Sequence, residues 1–454
     1  MSYSSEKGTD RHVGRCFPEQ HKGRMSSVDE KQPFAGDLER EKTPLCFGPH
    51  HSPGDRSPTE PCKPTQPFSI DPLAKQMKPA WIILILLALT PYAFAAEDIV
   101  LRRDGRNIHL SGDIVVEASD GGVLVLTADG FLWAIQPQEL LTRETSRLPF
   151  KPYNARALSE QLLSELPADF EIHKTIHYLV CHNTSRPYAQ WCGVLYERLY
   201  RVFHNYWKRR GFTLHEPNFP LVAIVFKDQR SYEQYAASEL GDATQSIIGY
   251  YSLHTNRVTM YDLTGLESLR ARGGSNLTAR EINSLLVGPE TERTVATIIH
   301  EATHQIAFNC GMHQRFADIP LWLSEGMAMY FEVPDLTSSR GWRNIGAVNQ
   351  VRLREFQAHL TTRIPGSMRK LIQDDGFFKD ANLARTAYPE SWALAYFLIR
   401  SRPQQFVAYL QTLSHKQPLG SDSPDKRLME FRSAFGKDLE QLDDAFLRHV
   451  SRLR

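Results

Sequence analysis

The 454-residue chain balances 53 Lys and Arg against 52 Asp and Glu, a formal net charge of +1, so no global field draws it to nucleic acid or to an anionic membrane surface. Its length allows two or three domains, or one large catalytic domain with smaller attachments. The six cysteines (Cys16, Cys46, Cys62, Cys181, Cys192 and Cys310) include no CxxC pair, which excludes a zinc ribbon and a thioredoxin-like redox centre.

Residues 1–76 hold ten of the chain's 27 prolines among many charged, Ser and Gly residues. They show no apolar periodicity, and a segment that cannot offset its ordering entropy is expected to be disordered. Residues 77–96 change character: Met77-Lys78 precedes an uncharged run dense in Ile and Leu, then Pro91 and the small-x-small triplet Ala93-Phe94-Ala95. This is the layout of a signal peptide, met after 76 polar residues. Either translation starts at Met77 and the upstream residues are a gene-start error, or Met1 is the start and the run is a signal anchor behind a cytoplasmic tail. Both place the remainder outside the cytoplasm, periplasmic or extracellular, with residues 79–96 as a candidate membrane tether. Three cysteines then lie in the exported part, with Cys181–Cys192 the candidate disulfide by proximity in sequence and buried free thiols the alternative.

Residues 97–150 alternate short apolar runs with Asp104-Gly105, Asp120-Gly121-Gly122 and Asp129-Gly130. Strands of that length joined by such turns predict a small antiparallel module, SH3-like in its spacing, that serves either to bind or position a ligand or as a structural cap. Residues 151–290 mix strands and helices. Strands are expected over 177–182 and 221–226, a helix over 189–210 with Val194, Leu195, Leu199, Val202 and Phe203 on its apolar face, and a hairpin pairing 249–252 with 257–261. Residues 291–454 read as helical. The coarse expectation is an α+β chain: a small all-β module, a β/α half, then a helical half.

The chemistry lies at the start of that last part. The run TERTVATIIHEATHQIAFNC, residues 291–310, has no Pro or Gly and sets Val295, Ile298, Ile299, Ala302 and Ile306 on one helical face. His300 and His304, four residues apart, project together and can bind one Zn²⁺, with Glu301 beside them as general base. Neutral imidazoles leave the ion enough positive charge to lower the pKa of its water to about 7. A catalytic zinc takes a third protein ligand, and Cys310, His313, Asp318, Glu325 and Glu332 are the candidates downstream. Ala307 and Cys310 exclude HExxHxxGxxH. Glu325 sits in the apolar run 320–330, where an unpaired buried carboxylate is costly and a metal removes the cost; His313, expected in the turn ending the first helix, should point away.

This arrangement, HEATH followed 21 residues after His304 by the Glu of WLSEGMAMYFE, resembles the gluzincin (peptidase MA-like) zinc metallopeptidases, in particular their exported bacterial members, over roughly residues 165–445. The resemblance implies a zincin-type domain with an antiparallel-edged sheet, His300, His304 and Glu325 as zinc ligands, and Glu301 as catalytic base acting on a peptide or protein. It also implies an edge strand, for which 249–252 is the candidate, that binds extended peptide by strand addition. Tyr388, expected to open a helix reaching about Arg400, is the candidate oxyanion stabiliser, with a core tyrosine the alternative. The competing function is a noncatalytic cell-envelope binding protein that keeps the fold.

Overall fold

The computed structural model describes residues 95–241, 247–265, 278–286, 289–333 and 345–454, and the single residues 244 and 342. The extension 1–76 and almost all of the signal-like segment 77–96 lie outside the described residues. Among the described residues no helix is long and apolar enough to cross a membrane.

Five strands, β1 (Ala95–Arg103), β2 (Arg106–Glu117), β3 (Val123–Thr127), β4 (Leu132–Ile135) and β5 (Leu140–Pro149), form an antiparallel sheet in the order β4-β3-β2-β1-β5. The three Asp-Gly signals fall between successive strands, as expected. At the first, Asp104 and Gly105 both take positive φ (52° and 74°), the backbone that twists a two-residue hairpin correctly. The sheet has its own small core of Ile99, Leu101, Val123, Val125 and Ile135, separate from the large core of the remainder.

After helix α1 (Ala155–Glu165), a second sheet takes the order β6-β7-β8-β10-β9, from β6 (Glu171–Lys174), β7 (Tyr178–His182), β8 (Leu221–Phe226), β9 (Gly249–Tyr251) and β10 (Arg257–Tyr261). Strands β7, β8 and β10 run parallel, and the edges β6 and β9 run antiparallel to their neighbours. The parallel strands are buried along their whole length, which explains the unbroken apolar run of β8 and the apolar Tyr178–Cys181 of β7, whereas β10 buries Arg257 and Thr259 as well. Helix α2 (Arg186–Lys208) starts on Ser185, whose side chain accepts from the Tyr188 N–H. Its buried face is Tyr188, Trp191, Cys192, Leu195, Tyr196, Leu199 and Phe203, while Val194 is 59% exposed. The expected face was therefore rotated: aromatic residues and Cys192, not Val194, fill the i, i+3, i+4 stripe.

Helices α3 (Gln229–Leu240) and α4 (Ala279–Leu286) precede the helical half: α5 (Pro289–Asn309), α6 (Leu321–Phe331), α7 (Gln350–His359), α8 (Ser367–Gln373), α9 (Gly376–Lys379), α10 (Ala381–Ser401), α11 (Pro403–Ser414), α12 (Pro424–Phe435) and α13 (Leu439–Val450). Tyr388 does not open its helix. It lies within α10, which starts at Ala381 and carries Pro389 inside, because burial of Ala387 and of Trp392 to Ile399 outweighs the local signal by which a proline marks a helix start. Cys181, Cys192 and Cys310 are buried free thiols, so the candidate Cys181–Cys192 disulfide is not formed. Burial pushes the Cys181 thiol up to about 12, which keeps it unreactive.

Candidate metal centre

Helices α5 and α6 bring the chemistry together. The α6 N-terminus is held where Leu321 N–H donates to Asp375 Oδ1 (3.0 Å), and Arg427 clamps Asp375 (3.0 Å) together with Asp318. From there α6 runs back along α5, so that Ser324 meets His304 and Glu332, just past the helix end, meets His300.

Between these contacts three donor atoms converge. His300 Nε2 lies 3.0 Å from Glu325 Oε2 and 3.0 Å from His304 Nε2, and His304 Nε2 lies 3.4 Å from Glu325 Oε1. His300, His304 and Glu325 form a group able to hold a metal ion. Two features test the fit. Bonds of about 2.0–2.1 Å in a tetrahedral site put ligand atoms about 3.3 Å apart, close to the separations found here. The other face of each ring decides the protons: His300 Nδ1 lies 2.8 Å from Glu332 Oε1, and an ionised carboxylate only accepts, so Nδ1 carries the hydrogen. His304 Nδ1 lies 3.2 Å from Ser324 Oγ. With neutral rings, and with the Ser324 hydroxyl accepting from His304 Nδ1, both Nε2 lone pairs and the Glu325 carboxylate point at one spot, an arrangement that a cation between them satisfies.

Glu301 is set beside this spot. Its Oε2 accepts the Tyr251 N–H of β9 (2.9 Å), and Oε1 has no protein partner among the described residues. Burial raises the Glu301 pKa, against the lowering effect of His300 and His304. At Glu325 burial is outweighed by the two histidines, which hold its carboxyl far below the usual range. At Glu332 burial is likewise outweighed, by His300 and Arg352. Burial opposes a charge on His300, but hydrogen bonds to Glu325 and Glu332 hold its pKa well above the ordinary imidazole value.

The site opens into a cavity of about 490 Å³ whose wall includes Gly249 to Tyr251, the four motif residues and Tyr388. Tyr388 packs edge-on against Phe378 (5.2 Å between ring centres), and its hydroxyl makes no hydrogen bond among the described residues. Burial, Glu325 and Glu301 raise its pKa. The structure thus brings together His300, Glu301, His304, Glu325 and Tyr388. His313 is buried and outside the triad, its ring without a hydrogen-bond partner among the described residues and its pKa pushed down to about 3 by burial. Sequence reasoning weighed Glu332 only as a ligand. It is instead the partner of His300, held in turn by Asn349 Nδ2 (3.0 Å) and Arg352 Nη2 (3.4 Å). Its position seven residues after Glu325, two helical turns on, is a signal that could have found it.

Residues 294–420 match a family model described as a protein of unknown function (DUF1570). That span holds the triad, Glu301, Glu332 and Tyr388, and begins after β9. A search of curated proteins gives no match.

Proposed function

We propose that the chain is a zinc-dependent peptidase of the gluzincin type, acting on peptide or protein outside the cytoplasm. The observation that carries this reading is the convergence of His300 Nε2, His304 Nε2 and Glu325 beside a half-buried Glu301 and below a sheet edge. His300, His304 and Glu325 would hold the zinc, which when bound supplies Lewis-acid polarisation and a water acidic enough to react near neutral pH. Glu301 Oε1, unpaired while Oε2 is tied to Tyr251, takes the proton from the attacking water and returns it to the departing amine. The raised pKa of Glu301 suits both halves of that transfer. The free Tyr388 hydroxyl donates to the oxyanion that develops on the substrate carbonyl.

Strand β9 supports a peptide substrate. Ser252 N–H bonds back to Arg257 O (3.0 Å) and Tyr250 lies opposite Thr259, so by alternation Gly249 and Tyr251 turn their backbone groups to the open edge. With the Tyr251 N–H on Glu301, the Gly249 N–H and both carbonyls remain to pair with an extended chain. The mixed sheet with two motif helices fits a zincin domain, and the first sheet, in which β1 pairs with both β2 and β5, fits an SH3-like module. Export rests on the Met77 segment.

Metal analysis of the purified protein tests the reading: about one zinc per chain in wild type, with His304→Ala and Glu325→Ala near zero. Glu301→Gln should keep the zinc and lose cleavage of a peptide library. No metal above trace in wild type overturns the zinc site; zinc-loaded wild type as inert as Glu301→Gln replaces the peptidase with the noncatalytic binding protein.

A further inference from the structure

The turn between β9 and β10 is gripped from three sides, and its hub is Asn256, 4% exposed and held at φ 62°. Toward the edge strand, Asn256 Oδ1 accepts from the Tyr251 hydroxyl (2.8 Å). Toward the metal helix, Asn256 and Asn309 exchange two amide hydrogen bonds (2.7 Å each), and Gln305, the residue after His304, donates to the Asn256 carbonyl (3.0 Å). Tyr251 also stacks on Phe308 (5.9 Å) and gives its N–H to Glu301 (2.9 Å). One side chain therefore ties the edge strand to the helix that carries the base and both histidines.

The third side is the N-terminal sheet. Leu132 N–H donates to His254 O (2.8 Å). Arg257, which follows Asn256, lies 3.8 Å from Asp129 and 2.8 Å from Glu165. Gly130 takes φ 86°, and a Cβ there would lie 3.3 Å from the Phe219 ring and 3.7 Å from Asn256 Nδ2. The two hydrophobic cores are separate, so residues 129–132 seat on the turn through these directed contacts and not through a shared apolar interior.

We propose that the N-terminal sheet is a brace: it presses on the β9–β10 turn and, through Asn256, sets the position of β9 above the metal helix. Asn256 is a positioning residue for peptide binding, and the role of the sheet is intramolecular. The peptide-binding consequence rests on the peptidase reading above; the mechanical link does not.

The test uses the full chain and three variants. Asn256→Gly keeps the left-handed backbone but loses the amide, Gly130→Val adds bulk and strain where the sheet meets the turn, and Asn256→Asp restores an acceptor for Tyr251. Amide hydrogen exchange at residues 249–251 should quicken about tenfold in the first two, with zinc content and exchange in α10 unchanged. On fluorescein-labelled casein, KM should rise about fivefold with kcat within about twofold, and Asn256→Asp should recover most of the loss. Wild-type exchange in β9 of either loosened variant, including a Gly130→Val protein whose first sheet has unfolded, overturns the brace. So does a fall in kcat at constant KM. If zinc-loaded wild type cleaves no casein, the peptidase reading is what fails, and the exchange data still decide the mechanical link.

Discussion

Glu332 shows how far a single residue reaches in this molecule. Its carboxylate fixes the Nδ1 hydrogen on His300 and so turns the Nε2 lone pair toward His304 and Glu325, while Asn349 and Arg352 hold the carboxylate itself. Such partners of a metal-binding histidine are worth about 10–100-fold in affinity. Glu332→Gln, which keeps the volume and loses the charge, should weaken zinc binding by that amount in competition with a chromophoric chelator, while the far-ultraviolet circular dichroism stays unchanged. A variant that binds zinc as wild type does would make Glu332 a packing residue. The contrast with Glu325 explains what the sequence discloses of the site. The two histidines and Glu301 are legible because one helix spaces them, and Glu325 because a carboxylate in an apolar run needs a partner. Glu332 and Ser324 act through contacts between α5 and α6, and no local pattern states which of several nearby polar side chains meets which ring.

At the scale of elements, the seat of Glu325 depends on how closely α6 lies on α10. A Cβ on Gly326 would stand 2.4 Å from Ser391 O and 2.8 Å from the Ala395 methyl, a gap only glycine permits. Ser391 and Ala395 are fully buried on a helix interior, so neither can step aside cheaply. Gly326→Ala should therefore destabilise by about 1–3 kcal/mol despite the better helix propensity of alanine. The check is the urea midpoint at unchanged slope, and a midpoint at or above wild type would mean the helices can separate without cost. Element legibility follows the same division. The hairpins of the first sheet and the buried strands β7 and β8 could be read directly, since Asp-Gly turns and unbroken apolar runs are local signals. The rotation of the α2 face away from Val194 and the continuation of α10 through Pro389 could not, since both are set by what the helix packs against.

For the whole molecule, the α+β division and the helical second half were legible because periodicity changes along the chain, whereas the place of the first sheet was not. Its contacts with the β9–β10 turn join residues about 120 positions apart, from Leu132 to His254, and such a pairing leaves no trace in either segment. The triad is a shorter link, 25 positions from His300 to Glu325, joining α5 to α6 across the loop after Asn309. A ligand that binds only the folded chain stabilises it by RT ln(1 + [L]/Kd), about 2.7 kcal/mol when free metal is 100 times Kd. Zinc should therefore raise the melting temperature of the whole chain by about 2–4 °C per kcal/mol, and a chelator should reverse the shift. Because the proposed site draws its donors from both helices, Glu325→Ala should abolish the shift as fully as His304→Ala, whereas Glu301→Gln should retain it. A zinc-dependent shift that survives Glu325→Ala would place the ion on α5 alone, and the third ligand would have to be sought elsewhere.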